Sequence, residues 1–133
     1  MKVPARSHLL AGAETITVRN LIILEDNPLI LLDMQTCIEE LGIVSVFAAS
    51  SLSEARRLIN AHPDAVSLLD VDIRGETSFE LAQDLVSTGR PMAFMTGYAD
   101  AGALPEQLRA VPVLRKPVQQ VELEKMVRRL ITE

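Results

Sequence analysis

The stretch Leu21-Ile22-Ile23-Leu24-Glu25-Asp26-Asn27-Pro28 decides the fold, because it joins a short apolar run to a helix start through two acids. A continuous apolar run of this length is typical of a strand that is covered on both faces. Asn27 is a preferred N-cap residue, and Pro28 suits the first helical position. The stretch therefore predicts a buried strand, with Glu25 and Asp26 at its carboxyl end, followed directly by a helix.

The same alternation of strand and helix signals repeats along the chain. Apolar runs predict strands at residues 21–24, 43–48, 65–69, 92–95 and 111–114. Helical patterns follow these runs after Asn27, after Ser51, after Thr77, at 100–110 and at 118–130. Ser51 with Glu54, and Thr77 with Glu80, match the capping box, in which two side chains cap a helix start reciprocally. The helix at 100–110 has the weakest pattern, because a glycine and a proline interrupt it.

Five strands alternating with helices predict an α/β fold with a doubly wound parallel sheet. Parallel neighbours need crossover connections, which the helices provide on both faces of the sheet. We expect the flavodoxin-like strand order 2-1-3-4-5, which has a switch point between the first and third strands. In such folds, ligands bind outside the carboxyl ends of the strands at that point.

Composition limits the classes of function to consider. With 133 residues, of which 48% are apolar and 23% charged, the chain is expected to be one soluble globular domain. The net charge of −5 and the scattered basic residues argue against a nucleic-acid-binding face. Cys37 is the only cysteine, which excludes an intrachain disulfide, and neither a membrane span nor a signal peptide is recognised. We therefore expect a cytoplasmic protein, with residues 1–18 as a flexible extension that holds at most a short helix.

Polar residues follow the apolar runs where the predicted strands end. Besides Glu25 and Asp26, they are Asp70, Thr96 and Lys116. Three carboxylates suit Mg²⁺, which prefers oxygen ligands and is usually held by one or two carboxylates plus a phosphate. An ammonium and a hydroxyl can neutralise the other oxygens of a phosphoryl group. The set predicts a phosphoryl site with Asp26 and Asp70 as direct ligands of Mg²⁺ and Lys116 as a charge partner.

In order and spacing, these residues resemble the receiver domain of bacterial two-component response regulators, and the resemblance spans about residues 20–130. It implies that Asp70 is the phospho-acceptor and that Thr96 is the hydroxyl that changes conformation. It assigns Lys116, followed by Pro117 after a bond that is usually cis, to the phosphoryl group. The resemblance thus predicts that the phosphoryl site acts as a signalling switch.

The resemblance also implies metal ligands and partners. Glu25 would reach Mg²⁺ through water, and the backbone carbonyl of Asp72 would complete the protein ligands. A sensor histidine kinase or a histidine phosphotransfer protein would donate the phosphoryl group to a stand-alone receiver at residues 19–133. The output would be altered protein contacts, phosphate relay or a phosphate sink, and formation of a homodimer stays open.

Several positions depart from the family pattern or add to it. Val113 stands where the family has an aromatic residue that follows the threonine inward. Tyr98 either takes over that signalling role or is a half-buried loop residue, and Gly97 leaves space beside the phosphoryl group. The segment after Asp70 lacks the Met-Pro pair that is common in the family. Since the family tunes phosphoryl loss at the position of Asp72, we hypothesise that Asp72 and Tyr98 set the lifetime of the phosphorylated state.

Two alternative functions stay open. One is a pseudo-receiver, which has the same fold but acts as a constitutive interaction module without being phosphorylated. The other is a phosphatase of the haloacid-dehalogenase type, because Asp70-Val71-Asp72 resembles the Asp-x-Asp nucleophile motif of that class. In that class the motif belongs on the first strand, whereas here it follows the third predicted strand, and a chain of this length leaves no room for a cap domain.

Overall fold

The structure is a computed structural model that describes residues 7–9, 15–17, 19–97 and 104–133. The strands are β1 (Ser7–Leu9), β2 (Thr15–Thr17), β3 (Arg19–Leu24), β4 (Val44–Ala49), β5 (Val66–Asp70), β6 (Asp72–Ile73), β7 (Glu76–Thr77), β8 (Met92–Thr96) and β9 (Val113–Arg115). The helices are α1 (Pro28–Glu39), α2 (Leu52–Ala61), α3 (Phe79–Ser87) and α4 (Gln120–Thr132), with a short 3-10 helix at Glu106–Leu108. Among the described residues, no helix has the length and apolar character needed to cross a bilayer.

Five of these strands form one parallel sheet in the order β4-β3-β5-β8-β9. Counted among the five predicted strands, this is the order 2-1-3-4-5, so the predicted topology is confirmed. Strand β3 lies between β4 and β5, with Leu21 opposite both Val46 and Val66. Because the five strands run parallel, their carboxyl ends meet at one edge, which we call the carboxyl edge.

The two faces of the sheet carry separate apolar cores. Ile22 and Leu24 of β3 face a core completed by α2 and α3, whereas Leu21 and Ile23 face a core completed by α1 and α4. All four side chains are fully buried, which explains why the run is apolar at every position. Burial of each such side chain contributes about 1.5–3 kcal/mol relative to exposure. This central strand fixes the position of the acids that follow it.

The start of α1 is as predicted from the sequence. Asn27 is the N-cap, and its side chain accepts hydrogen bonds from the backbone N–H groups of Leu29 at 3.0 Å and Ile30 at 3.2 Å. Pro28 occupies the first position of the helix, where its missing N–H costs no hydrogen bond. The turn from β3 into α1 is therefore short and well fixed.

The two predicted capping boxes differ in outcome. Ser51 Oγ accepts a hydrogen bond from the N–H of Glu54 at 3.2 Å, and the Glu54 carboxylate returns to the backbone N–H of Ser50 at 2.8 Å. The prediction that Thr77 caps α3 is wrong, because Thr77 is paired within strand β7. The helix begins one residue later, with Ser78 as the N-cap residue and without a side-chain capping bond.

The C-terminal part of the sheet differs from the prediction in two places. Within the described part of the predicted helix at 100–110, only the 3-10 helix Glu106–Leu108 is present, preceded by Pro105 in an extended conformation. The predicted strand at 111–114 begins later, at Val113, because Pro112 has no N–H to donate to the sheet. Residues 98–103 of the loop after β8 lie outside the described residues.

The described residues of the N-terminal extension form strands, where at most a short helix was predicted. Strands β1 and β2 pair in antiparallel fashion, with Ser7 opposite Thr17. This pair forms a two-stranded sheet of its own and does not join the central sheet.

Candidate functional site

Lys116 lies at the centre of a polar cluster at the carboxyl edge. Its Nζ donates hydrogen bonds to Glu25 Oε1 at 2.7 Å and to Asp70 Oδ2 at 2.8 Å. Its backbone N–H donates to the carbonyl of Thr96 at 2.9 Å, which holds the chain after β9 against the end of β8. The peptide bond to Pro117 is cis. A single ammonium therefore joins acids that follow two different strands.

Glu25 is fixed by hydrogen bonds at its backbone and at its carboxylate. The residue is 1% exposed, and its N–H donates to the carbonyl of Ala49 at 3.0 Å. Its Oε2 accepts a hydrogen bond from the N–H of Asn27 at 3.1 Å, which leaves Oε1 for Lys116. A buried carboxylate is tolerated when it is paired and hydrogen-bonded in this way. Glu25 thus holds the Lys116 ammonium next to Asp70.

The segment after Asp70 forms a hairpin of β6 and β7, with Arg74 and Gly75 at its tip. Both tip residues have positive φ, 54° and 84°, as a type I′ turn requires. The Asp72 carboxylate closes the turn by accepting the N–H of Gly75 at 3.0 Å. The N–H of Arg74 donates to Asp26 Oδ2 at 3.1 Å. The hairpin is therefore fastened to the acidic cluster through Asp26.

The backbone carbonyl of Asp72 is left outside the hydrogen bonds of this hairpin. Opposite residues of an antiparallel pair alternate between hydrogen-bonded and non-hydrogen-bonded positions. At the base of the hairpin, the N–H of Ser78 donates to the carbonyl of Val71 at 2.9 Å. The next pair, Asp72 opposite Thr77, is then a non-hydrogen-bonded pair. It follows that the Asp72 carbonyl faces away from β7.

The acids of the cluster are suitable ligands for a divalent cation. Glu25, Asp26 and Asp70 each offer one carboxylate oxygen, and these oxygens lie within 4.8 Å of one another. Mg²⁺ prefers oxygen ligands and is usually bound through one or two carboxylates, which this group can supply. The negative charge of the cluster also exceeds the single positive charge of Lys116, so a cation would be stabilising.

The pKa values of both partners of the central ion pair are shifted from their ordinary values. Burial raises the pKa of Asp70 from 3.8 to about 6, against the lowering effect of Lys116 and with smaller raising contributions from Glu25 and Asp26. For Lys116, burial alone would lower the pKa, but hydrogen bonds to Asp70 and Glu25 outweigh it, so that the pKa is raised. Lys116 therefore stays charged at neutral pH, and ionised Asp70 carries a cost that a bound cation would reduce.

Thr96 is buried at the end of β8, on the strand next to Asp70. Its Oγ1 donates a hydrogen bond to the carbonyl of Gly97 at 3.1 Å, and among the described residues it makes no bond to Asp70. Val113 is partly buried and packs against the core formed with α2 and α3. Tyr98 lies outside the described residues, so its predicted signalling role stays a prediction.

The response regulator receiver domain is the family whose model matches the chain, over residues 21–128. The chain belongs to the response regulator receiver family. No curated protein sequence matched it. The family match covers the central sheet from Leu21 of β3 onward and includes Glu25, Asp26, Asp70 and Lys116.

Solved structures share the fold of this receiver domain. A response regulator receiver domain protein from Clostridium thermocellum has a TM-score of 0.76 and 20% identity, with 86% of this chain and 95% of that chain covered. SdrG from Sphingomonas melonis Fr1 has a TM-score of 0.71 and 28% identity, with 86% and 97% covered. A putative response regulator from Chloroflexus aurantiacus J-10-fl has a TM-score of 0.74 and 21% identity, with 87% and 99% covered.

The structure of this receiver contains one site residue that sequence reasoning missed. Ser78 is fully buried, and its Oγ donates a hydrogen bond to the backbone carbonyl of Asp70 at 2.6 Å. The sequence signal at this point, a serine before a helical pattern, indicates only a helix cap. No one-dimensional pattern shows that the hydroxyl turns back to the strand that carries the predicted acceptor.

An apolar surface borders the site on the α1 and α4 side of the receiver. In the first turns of α1, Leu29 is 78% exposed, Ile30 41% and Leu32 61%, and in the first turn of α4 Val121 is 62% exposed. Both helices begin at the carboxyl edge, directly after Asp26 and shortly after Lys116. We call these four residues, which lie in the N-terminal turns of the two helices, the rim surface.

Proposed function

We propose that this receiver domain accepts a phosphoryl group on Asp70 with the help of Mg²⁺ and then changes its protein contacts. The observation that carries the proposal is the Lys116 ammonium, 2.8 Å from Asp70 and 2.7 Å from Glu25, beside the three-carboxylate group. A nucleophilic carboxylate, a fixed positive charge and oxygen ligands for a cation are thus combined in one site. The functional unit of this proposal is residues 19–133.

Asp70 is the nucleophile in this proposal. One of its carboxylate oxygens attacks the phosphorus of a phosphohistidine, the P–N bond breaks, and the imidazole leaves with the bonding electrons. Lys116 offers its ammonium to a phosphoryl oxygen, and Glu25 keeps that ammonium in place. Because phosphoryl transfer depends mainly on positioning and charge neutralisation, these contacts account for most of what the chain must supply.

The cation ligands in the proposal are the carboxylates of Asp26 and Asp70 and the backbone carbonyl of Asp72, with Glu25 acting through water. When bound, Mg²⁺ supplies neutralisation of the phosphoryl oxygens and of the clustered carboxylates. The N–H of Arg74 orients the Asp26 carboxylate through its hydrogen bond to Oδ2. The hairpin therefore supports two of the proposed ligands.

Thr96 is the switching residue of the proposal. Its hydroxyl exchanges the bond to the Gly97 carbonyl for a bond to the new phosphoryl group, which adds negative charge at Asp70. Movement of Thr96 shifts a nearby surface between two packings, which makes that surface a two-state element biased by local charge. Since Val113 is smaller than the family's aromatic residue, the response to Thr96 has to come from other side chains.

In the proposal this chain acts in the cytoplasm, and its phosphoryl donor is a sensor histidine kinase or a histidine phosphotransfer protein. Any protein donor must bring its phosphohistidine to Asp70, and it then contacts the surface that borders the carboxyl edge. The rim surface offers this partner exposed Leu29 and Leu32 beside the site. The partners decide whether the chain relays the phosphoryl group, acts as a phosphate sink or binds an effector.

Incubation with acetyl phosphate and Mg²⁺, followed by intact-mass measurement, tests the proposal. We expect one added phosphoryl group on the wild type, none on Asp70→Asn and an unchanged level on the control Asp64→Asn, an exposed aspartate that precedes the amino end of β5. A folded wild type that takes up no phosphate, from acetyl phosphate or from phosphorylated donors, would favour the pseudo-receiver alternative. Steady release of phosphate from phosphomonoesters would favour the phosphatase alternative, for which the comparisons give no support.

A further inference from the structure

Ser78 makes two hydrogen bonds to the chain segment that carries the predicted phospho-acceptor. Its Oγ donates to the carbonyl of Asp70 at 2.6 Å, and its N–H donates to the carbonyl of Val71 at 2.9 Å. The residue is fully buried, so water does not compete for either bond. Both bonds link the start of α3 to the end of β5.

The hydroxyl of Ser78 donates to the Asp70 carbonyl instead of capping its helix, as the hydroxyl of an N-cap serine usually does. An N-cap serine normally accepts a hydrogen bond from an N–H in the first turn of its helix. Here Ser78 is the N-cap residue of α3 but makes no such bond. Its side chain donates its hydrogen bond to the Asp70 carbonyl, so α3 begins without a side-chain cap.

The position of Ser78 also closes the base of the hairpin that supports the site. The segment between Val71 and Ser78 contains Asp72, whose carbonyl is a proposed cation ligand, and the tip residue whose N–H binds Asp26. On the other side, the N–H of Val71 is held by the carbonyl of Met95 at 3.0 Å. Ser78 is therefore the contact that fixes the acceptor's backbone and the hairpin relative to each other.

We propose that Ser78 is a positioning residue for phosphoryl transfer, acting through its hydroxyl on the Asp70 carbonyl. The inference rests on the proposed function, because it assigns Ser78 to the same site. Without the hydroxyl, the Asp70 carbonyl loses its buried donor and the base of the hairpin is held by one bond fewer. The carboxylate of Asp70 and the carbonyl of Asp72 then sample positions away from the transfer geometry.

The test compares four variants in the rate of phosphorylation by acetyl phosphate at saturating Mg²⁺. Ser78→Ala removes the hydroxyl, Ser78→Cys keeps the size with a weak donor, and Ser78→Thr keeps the hydroxyl with an added methyl group. Ser67→Ala is the matched control, because Ser67 is equally buried on β5 but its Oγ has no hydrogen-bond partner within the described part of the chain. Circular dichroism establishes which variants are folded at the assay temperature.

We expect Ser78→Ala and Ser78→Cys to react about tenfold more slowly than the wild type, which corresponds to about 1.4 kcal/mol in the barrier. Ser78→Thr and Ser67→Ala should stay within about threefold of the wild type, or about 0.6 kcal/mol. If Ser78→Ala does not fold, the rate of Ser78→Cys is compared with that of the wild type instead. Rates that follow side-chain size, with Thr slow and Cys fast, or equal rates for Ser78→Ala and Ser67→Ala, would overturn the inference. A wild type that takes no phosphate overturns the proposed function as well.

Discussion

Replacement of Asp70 by asparagine should stabilise the protein when no divalent cation is present. Asp70 is 5% exposed and shares its surroundings with Glu25 and Asp26, with Lys116 as the positive partner. Burial raises its pKa to about 6, so the ionised carboxylate at neutral pH is less stable in the folded chain than in the unfolded chain. An amide in its place carries no charge and removes this cost.

The size of the effect follows from the pKa. The difference between 3.8 and about 6 corresponds to roughly 3 kcal/mol, at about 1.4 kcal/mol per pH unit. A carboxyl with a raised folded-state pKa binds more protons when folded, so the free energy of unfolding falls as pH rises from about 4 to about 6. The amide still accepts a hydrogen bond from Lys116, although a weaker one. We therefore expect Asp70→Asn to gain about 1–3 kcal/mol at pH 7.5 and much less at pH 4.

The assay is urea unfolding in EDTA at several pH values, followed by far-ultraviolet circular dichroism because the chain has no tryptophan. The matched control is Asp72→Asn, since the Asp72 side chain is exposed and, in the part of the chain that the structure describes, its one hydrogen bond is from the N–H of Gly75. Added Mg²⁺ should stabilise the wild type and so reduce its difference from Asp70→Asn. If Asp70→Asn is no more stable than the wild type at pH 7.5, or if the difference is the same at pH 4, the electrostatic account of the site is refuted.

Four further outcomes are expected. Lys116→Gln should slow phosphorylation by acetyl phosphate at least about tenfold, because the charge partner of the phosphoryl group is lost. It should not weaken the Mg²⁺-dependent stabilisation in thermal unfolding, because the ammonium no longer competes with Mg²⁺ for the acids. Asn27→Ala should lower the free energy of unfolding in urea by about 1 kcal/mol through loss of the N-cap, and an unchanged value would contradict the capping role. Leu32→Ser should slow transfer from a phosphorylated phosphotransfer protein but not from acetyl phosphate, and equal effects on both donors would argue against the rim surface. Asp72→Ala and Tyr98→Ala should change the rate of autodephosphorylation, and unchanged rates in both would remove that hypothesis.

The features that could be predicted from the sequence are those set by local physical rules. The apolar run at 21–24 predicted a strand buried on both faces, and the structure confirms that Leu21 and Ile22 face different cores. Asn27 with Pro28 correctly predicted the start of α1, because helix capping depends on residues that are neighbours in the sequence. The position of the acids at one edge of the sheet was also predicted. Strands connected through helices run parallel, and their carboxyl ends then meet at the same edge.

The features that were missed depend on contacts between distant parts of the chain. Thr77 matches the capping-box pattern, but its pairing in β7 opposite Asp72 overrides this local signal. The hydroxyl of Ser78 bonds the carbonyl of Asp70 instead of capping α3, and that choice depends on how the hairpin folds back. Likewise, the shared hydrogen bonds of Lys116 to Glu25 and Asp70 appear only once β3, β5 and β9 are in place.

Chemical trapping of the phosphorylated residue tests the central claim most directly. Borohydride reduces an aspartyl phosphate to homoserine, and peptide mass spectrometry then locates the reduced residue. After treatment with acetyl phosphate and Mg²⁺, we expect homoserine at position 70 and at no other acid of the cluster, with no trapping when EDTA replaces Mg²⁺. Homoserine at Asp26 or Asp72, 5-hydroxynorvaline (the corresponding alcohol of glutamate) at Glu25, or a stable phosphate on a serine, threonine or histidine, would contradict the assignment of Asp70 as the acceptor.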